Sequence, residues 1–244
     1  MARYKIILAY DGTRFHGSQR QREVRTVQGE VEEALRKLDW VDKSTLFAGR
    51  TDAGVHASGQ VAVFDLEWRH PPEDLMNALN ANLPDDVAVR RIAETASTFH
   101  PRYDAVSRKY SYRVIFDPQP HPLEERYAWR VWPPAELIRL QAAAKAFLGI
   151  KDFAAFGRAM KHGGITIREV MAVNWYHDNN YLIFEITANA FLYHMVRRLV
   201  YTQMMVGQEN LSIDEINLRL QVPDTLPIHG LAPPQGLSLV EVRY

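Results

Sequence analysis

The sequence predicts an α+β protein of two tandem ferredoxin-like halves, each ordered β-α-β-β-α-β. Three observations predict it. Segments with the two-residue period of strands interleave with segments of helical spacing. The same order of elements occurs twice. Turn residues and prolines mark the joints. The halves fall at residues 1–105 and 106–244, and two such units place their sheets side by side, as one shared mixed or antiparallel sheet with a central cleft.

The first half opens with YKIILAY (4–10), a β-rich run that ends at the turn pair Asp11-Gly12. Thr26 is placed as an N-cap, after which Val27, Val31, Leu35 and Leu38 recur at helical spacing. A short strand near 45–48 and QVAVFDL (60–66) follow. PPEDLMNALNANLP is a helix with proline at its start and Pro84 at its end. DVAVRRI (86–92) is the last strand of the set.

The second half repeats the order. SRKYSYRVIF (107–116) alternates as a strand does, and PPAELIRLQAAAKAFLG is a helix with Gly149 past its end. IREVMAVNWY and YLIFEITA are two strands joined by the hairpin turn Asp178-Asn179-Asn180. Asn189 is expected to cap a long helix that reaches about Gly207. A capping box from Ser212 to Glu215 opens a further short helix within an insertion near 208–235. GLSLVEVRY is the final strand.

Composition limits the chemistry. The 244 residues include no cysteine, which excludes disulfides and thiolate catalysis. No apolar run reaches the roughly 18 residues of a membrane helix, and the start, MARYKIILAYDG, lacks a signal-peptide layout. A cytoplasmic location is the expectation. The formal net charge is zero, but of 29 basic residues 22 are Arg and 7 are Lys. Arg grips phosphate with two parallel bonds and stacks on bases, so the bias suits RNA. The run 14–25 carries Arg14, Arg20, Arg22 and Arg25 against one acid, Glu23, while Glu30, Glu32 and Glu33 cluster just beyond it.

Candidate chemistry centres on FAGRTDAGVHASGQVAVF (47–64). An Asp in T-D-A-G is commonly a turn former. Asp52 is also placed to act as a nucleophile or base. On extended backbone Arg50 shares its face, and a neighbouring cation keeps a carboxylate ionised. Gly49, Gly54 and Gly59 open the backbone to close approach by a substrate. His56, four residues after Asp52, has helical metal-pair spacing, but the glycines argue against a helix and no third ligand is near.

Two further segments carry candidates. On a strand, Tyr110 and Tyr112 share a face with Arg108, an arrangement that can stack a base beside a phosphate; packing against a helix fits as well. In NAFLYHMVRRLVY, Arg197 and Arg198 sit among Phe191, Leu192, Met195, Val196, Leu199 and Val200. An Arg on so apolar a helix calls for an acidic partner, and an exposed solubilising charge is the other reading. Spacing does not choose between Arg197 and Arg198. The nucleotide and hydrolase signatures G-x-G-x-x-G, Walker A, G-x-S-x-G and H-E-x-x-H are absent from the sequence.

GRTDAGVHASGQVAVF closely resembles the signature of the tRNA pseudouridine synthase A family. YDGTRFHG, LNANLPDDV, FHPRYDAVSRKYSYR, DFAAFG, TIREV, ANAFLYHMVRRLV and GLAPPQGLSLVEVRY match in the same order, so the resemblance spans the chain. It implies an isomerase that converts uridine to pseudouridine at positions 38, 39 and 40 of the tRNA anticodon stem-loop, without cofactor or metal. It further implies two similar α/β halves around a shared sheet, and a homodimer. The catalytic Asp of the family falls on Asp52, its active-site Tyr on Tyr110, and the Arg that pairs with the Asp on Arg197; Arg50 is taken as a further substrate contact. On that reading Gly54 and Gly59 leave room for RNA, and His56 becomes a structural or RNA-contacting neighbour. Two positions depart from the pattern: Ser18 stands where the family often has Trp, and Tyr201 where Gly is common. The rival readings are a tRNA-binding or folding module without catalysis, and a hydrolase that frees uracil. The hydrolase would want a second carboxylate near Asp52.

Overall fold

Alternation of apolar residues decides the first strand. In β1 (Ala2–Tyr10) of the computed structural model, Tyr4, Ile6, Leu8 and Tyr10 are buried and the residues between them are less so, the period of a strand with one face on a core. Residues 1–161, 163–222 and 229–244 are described. They form two units, Met1–Val106 with Ser238–Tyr244, and Ser107–Leu237.

In the first unit β1 is followed by α1 (Val27–Arg36), β2 (Leu46–Phe47), β3 (His56–Leu66), α2 (Pro72–Asn82) and β4 (Val87–Thr95). Thr26 caps α1 as expected; its side chain accepts from the Gly29 amide. The strand order is β4-β1-β3-β2, antiparallel throughout, which is the ferredoxin-like order. Val27, Val31, Ala34 and Leu35 of α1 and Leu75 and Leu79 of α2 are buried. Residues 59–64 of β3 are buried without alternation, as in a strand covered on both faces.

One acid in this core is fully buried. Glu32 of α1 accepts from the Thr45 amide at 2.9 Å and from Gln28 Nε2 at 2.9 Å, and Arg20 lies against its second oxygen. A buried charge persists only when paired and hydrogen-bonded, and Glu32 is both.

The second unit runs β5 (Ser107–Phe116), β6 (Trp129–Val131), α3 (Leu137–Lys145), β7 (Gly149–Asp152), β8 (Ile167–Asp178), β9 (Tyr181–Ala188), α4 (Met195–Gly207) and α5 (Ile213–Gln221). Its strand order is β5-β9-β8-β7, antiparallel, with β6 parallel beside β5. The strands β6 and β7 are additions to the expected repeat. Both are short edge pieces, of three and four residues, with too little pattern to register as strands. In the core Phe156 meets both Phe147 and Phe153 edge to face, and Trp175 donates its Nε1 hydrogen to Gln203 Oε1 at 2.8 Å. The capping box at Ser212 forms as read. Residues 223–228 of the predicted insertion lie outside the described residues.

The start of α4 differs from expectation. Asn189 does not cap it; Asn189 Oδ1 accepts from the Glu169 and Ala190 amides instead. The helix begins six residues later, after His194 at φ 65°. Tyr201, one of the two departures, stacks on Trp129, and Gly230 gives it room: a Cβ there would lie 2.1 Å from the Tyr201 ring.

The last strand, β10 (Leu237–Arg243), supplies Ser238–Tyr244 to the first unit rather than to the half that precedes it in sequence. It pairs with the start of β3 in parallel, Ser238 opposite His56 and Leu239 opposite Ala57. Gly59 makes the approach possible, because a Cβ would lie 2.0 Å from the Val240 carbonyl oxygen. The room at Gly59 is therefore filled by the protein's own backbone, not held open for RNA. No helix among the described residues is long and apolar enough to cross a membrane. Gly59→Ala is expected to destabilise the protein by about 1–3 kcal/mol, the usual cost of overpacking. Denaturant unfolding checks it, and an unchanged midpoint would refute the contact.

Candidate active site

Asp52 opens a turn whose backbone is fixed from several sides. Its carbonyl accepts from the Val55 amide at 3.2 Å, and Gly54 takes φ 77°, a conformation that favours glycine. Just before it, the Thr51 amide donates to Ser18 Oγ at 2.8 Å and the Ser18 amide donates to the Thr51 carbonyl at 3.1 Å. The Tyr10 hydroxyl and Thr51 Oγ1 are 2.8 Å apart. Gln60 brackets Gly49, giving its Nε2 hydrogen to the Gly49 carbonyl and taking the Gly49 amide on Oε1. Two glycines let the chain of 12–17 lie directly on this turn. A Cβ at Gly12 would be 2.1 Å from the Val55 carbonyl oxygen, and one at Gly17, φ 94°, would be 2.8 Å from that of Thr51.

The result is a graded presentation: Thr51 buried, Asp52 half-buried, Arg50 exposed. No ion pair joins Arg50 to Asp52, and among the described residues the Arg50 guanidinium has no hydrogen-bond or ion-pair partner. The expected pairing of Arg50 with Asp52 is therefore not formed among the described residues. Arg50 is left to the solvent.

His56 is buried, and its Nδ1 accepts from the Gly12 amide at 2.9 Å. That amide hydrogen is fixed on nitrogen, so Nδ1 must be the acceptor and the ring proton sits on Nε2. The nearby Asp11 Oδ1, 3.2 Å from Nδ1, is engaged by the Thr13 amide at 3.0 Å. His56 thus holds the Gly12 turn against the Asp52 turn and takes the structural role. Ser18 and Tyr10 are the parts of this site that residue reasoning missed. Ser18 registered only as a departure from a family pattern, yet it is 1% exposed and touches Thr51 on both backbone groups.

The basic run 14–25 is partly neutralised. Arg25 pairs with Asp86 at 2.7 Å and with Glu30, and its guanidinium lies 4.3 Å over the Phe15 ring. Arg20 is held by Glu32. Arg14 and Arg22 are exposed.

In the second unit Tyr110 and Tyr112 lie on one buried face of β5. Tyr110 is 8% exposed and meets Phe191 edge to face at 5.0 Å. Phe191 belongs to the non-helical segment before α4, not to the helix. Arg108 Nη1 donates to the Asn189 carbonyl at 2.8 Å. Arg197, half-buried in the first turn of α4, donates from Nε to the Ala232 carbonyl at 2.7 Å, and the Ala232 amide returns a bond to the Arg197 carbonyl. The Tyr112 hydroxyl donates to the Pro233 carbonyl at 2.7 Å. Gly236 lies so close to the Tyr112 ring that a Cβ would sit 2.6 Å away. Residues 232–236 therefore orient Arg197 and cover Tyr112 together. Arg198 is half-buried, so it is not the exposed solubilising charge of the alternative reading.

Burial shapes the tyrosines. It pushes the Tyr10 hydroxyl up to about 12, against the opposing hydrogen bonds from Thr51, Gln60 and Ser18. Burial raises Tyr112 as well, opposed by the charge of Arg197.

Comparison with known proteins gives a consistent picture. A family model described as tRNA pseudouridine synthase matches residues 6–104 and 143–244. A tRNA pseudouridine synthase A of Limosilactobacillus fermentum is 38% identical over 249 residues, covering 100% of this chain and 96% of that protein. The protein of the same name from Pseudothermotoga lettingae is 38% identical and covered in full on both sides. One from Chloroflexus aurantiacus is 38% identical over 98% of this chain and 87% of its own length.

Tyr10 provides a test of this packing. Its ordinary value is 10.0 and its folded value about 12, so between them the unfolded chain has lost a proton that the folded protein keeps. Stability must fall as pH rises through that window. Tyr10→Phe is expected to flatten the fall and, at neutral pH, to cost about 1 kcal/mol through the lost Thr51 partner. Unfolding free energies measured from pH 9 to 12 check both; a slope equal to that of the parent would show that Tyr10 ionises freely.

Proposed function

Because the chain belongs to the tRNA pseudouridine synthase family, we propose that it isomerises uridine to pseudouridine in tRNA, at positions 38, 39 and 40 of the anticodon stem-loop. The observation that carries the proposal is Asp52: a half-buried carboxylate on a turn held by Thr51, Ser18 and Gly54, in the segment that bears the family signature. The reaction breaks the bond from uracil N1 to the ribose C1′, turns the base, joins C5 to the same carbon and releases the C5 proton. A paired target leaves the stack first.

Asp52 is assigned as the nucleophile that starts this sequence. A fixed backbone suits that role, because a carboxylate held in one geometry avoids the entropic cost of finding it. Tyr110 is assigned to the target base, whose face it can meet as it meets Phe191 edge-on. Arg197 and Arg50 are assigned to substrate binding. Arg197 is pre-aimed by Ala232, and the free guanidinium of Arg50 suits a phosphate. The same reading takes the protein as a cytoplasmic homodimer that works with side chains alone.

The test is tRNA tritiated at uracil C5. The parent protein is expected to release tritium while the base stays attached to the chain. Asp52→Asn is expected to lose roughly 10³-fold or more of that release, the scale on which a missing nucleophile acts. It should still bind tRNA, since phosphate contacts dominate affinity. Free labelled uracil would mean a hydrolase, and binding without any release would mean a carrier; either result, or turnover by Asp52→Asn, sinks the assignment.

A further inference from the structure

Helix α4 begins against its own electrostatics. A helix N-terminus carries partial positive charge and favours acids in its first turn. The first turn of α4 has no acid and no side-chain cap, and it carries Arg197 and Arg198. Arg197 is held by Ala232. Arg198 is not held: among the described residues its guanidinium has no hydrogen bond or ion pair. Its charged neighbours are two more cations, Arg158 and Arg197, and burial together with the Arg158 charge pushes it below the ordinary arginine value. A half-buried cation facing like charges is unfavourable unless an anion joins it.

Arg158 is placed there by backbone. Its amide donates to the Tyr193 carbonyl at 3.3 Å and its carbonyl accepts from the Tyr193 amide at 2.9 Å. Gly157 permits the approach, since a Cβ would lie 2.5 Å from Leu192 Cβ. The Arg158 side chain is exposed, and its guanidinium lies 5.5 Å over the Tyr193 ring. Tyr193 is itself 39% exposed and stacks on His194, with centroids 3.7 Å apart and planes 26° apart. Two arginines without carboxylates thus flank an exposed aromatic pair.

We propose that Arg158 and Arg198 clamp a backbone phosphate of RNA, with the Tyr193–His194 pair as the platform on which a neighbouring base stacks. The identity of the RNA rests on the tRNA reading above; the clamp itself rests on the charge and ring geometry. Planar guanidinium groups match phosphate oxygens with paired bonds, and stacking on an aromatic side chain accepts any base. The acid-free start of α4 gains the anion that its dipole favours.

The experiment is tRNA binding as a function of salt, using unmodified transcript. Arg158→Gln and Arg198→Gln are each expected to weaken binding roughly tenfold, the scale of a hydrogen bond to a charged group. Together they should lower the slope of log affinity against log salt by about 0.7–0.9, one phosphate's worth. Arg198→Lys should keep the slope, and Tyr193→Ala should weaken binding with the slope unchanged. Arg198→Gln should melt no lower than the parent, because it removes repulsion. Parent-like affinity and slope in the exposed-site variant Arg158→Gln overturns the clamp, and so does a lowered melting midpoint of Arg198→Gln with parent-like binding. Tritium release from C5 separates the two proposals. A parent that releases none, with variants that lose binding, keeps the clamp and removes the isomerase. A parent that releases tritium, with variants that bind as it does, keeps the isomerase and removes the clamp.

Discussion

Backbone packed directly on backbone is the constraint on which the Asp52 segment depends. Gly12 and Gly17 touch the carbonyls of Val55 and Thr51 at distances that leave no space for a Cβ. That contact brings Ser18 within reach of both Thr51 backbone groups. It also sets His56 to receive the Gly12 amide. Each of these bonds is ordinary alone, worth about 1 kcal/mol. Their common effect is to remove freedom from residues 51–55, so that a side chain projecting from the turn inherits a fixed origin. The two buried hydroxyls, on Tyr10 and Thr51, are hydrogen-bonded to one another beneath it, so neither is left as an orphaned buried polar group.

Arg197 is fixed by a comparable device with different parts. Its carbonyl and its Nε both engage Ala232, while Tyr112 engages Pro233 and abuts Gly236. In each unit a glycine allows a short loop to close onto the segment of a candidate side chain, Asp52 or Arg197, and a tyrosine hydroxyl secures the loop. Burial raises both tyrosines above their ordinary value, so both hydroxyls are neutral at neutral pH.

Much of this was legible in the sequence, and the failures are instructive. Period-two and helical patterns located β1, α1, α2, β8 and β9, because each carries apolar residues at the spacing of its element. The four-residue β7 and three-residue β6 escaped because an edge strand needs only a partner, not a pattern. Asn189 misled because the side chain that suits a helix N-cap suits any pair of free amides, and here it serves Glu169 and Ala190. The start of α4 is set instead by the Arg158–Tyr193 bridge and the left-handed His194, neither of which leaves a local mark. Asp52 was identifiable by its ordered companion motifs. Its supports were not, since Ser18, Tyr10 and Gln60 lie 34, 42 and 8 positions away in the sequence.

Charge was the least legible property, because zero net charge is a sum over arginines with different fates. Arg3, Arg20, Arg25 and Arg130 are tied to Asp65, Glu32, Asp86 and Glu125. In each pair the acid beside the cation offsets its charge. Arg50, Arg14, Arg22, Arg158 and Arg198 have no such partner among the described residues. A protein of this kind can be neutral overall and still offer a polyanion a discrete set of unmatched cations. Their positions carry the further point. Arg50 stands two residues before Asp52, and Arg198 stands beside Arg197. These cations therefore stand beside Asp52 in the sequence of one unit and beside Arg197 in that of the other, and on the proposed reading a phosphate held there would also set the register of the nucleotide it carries.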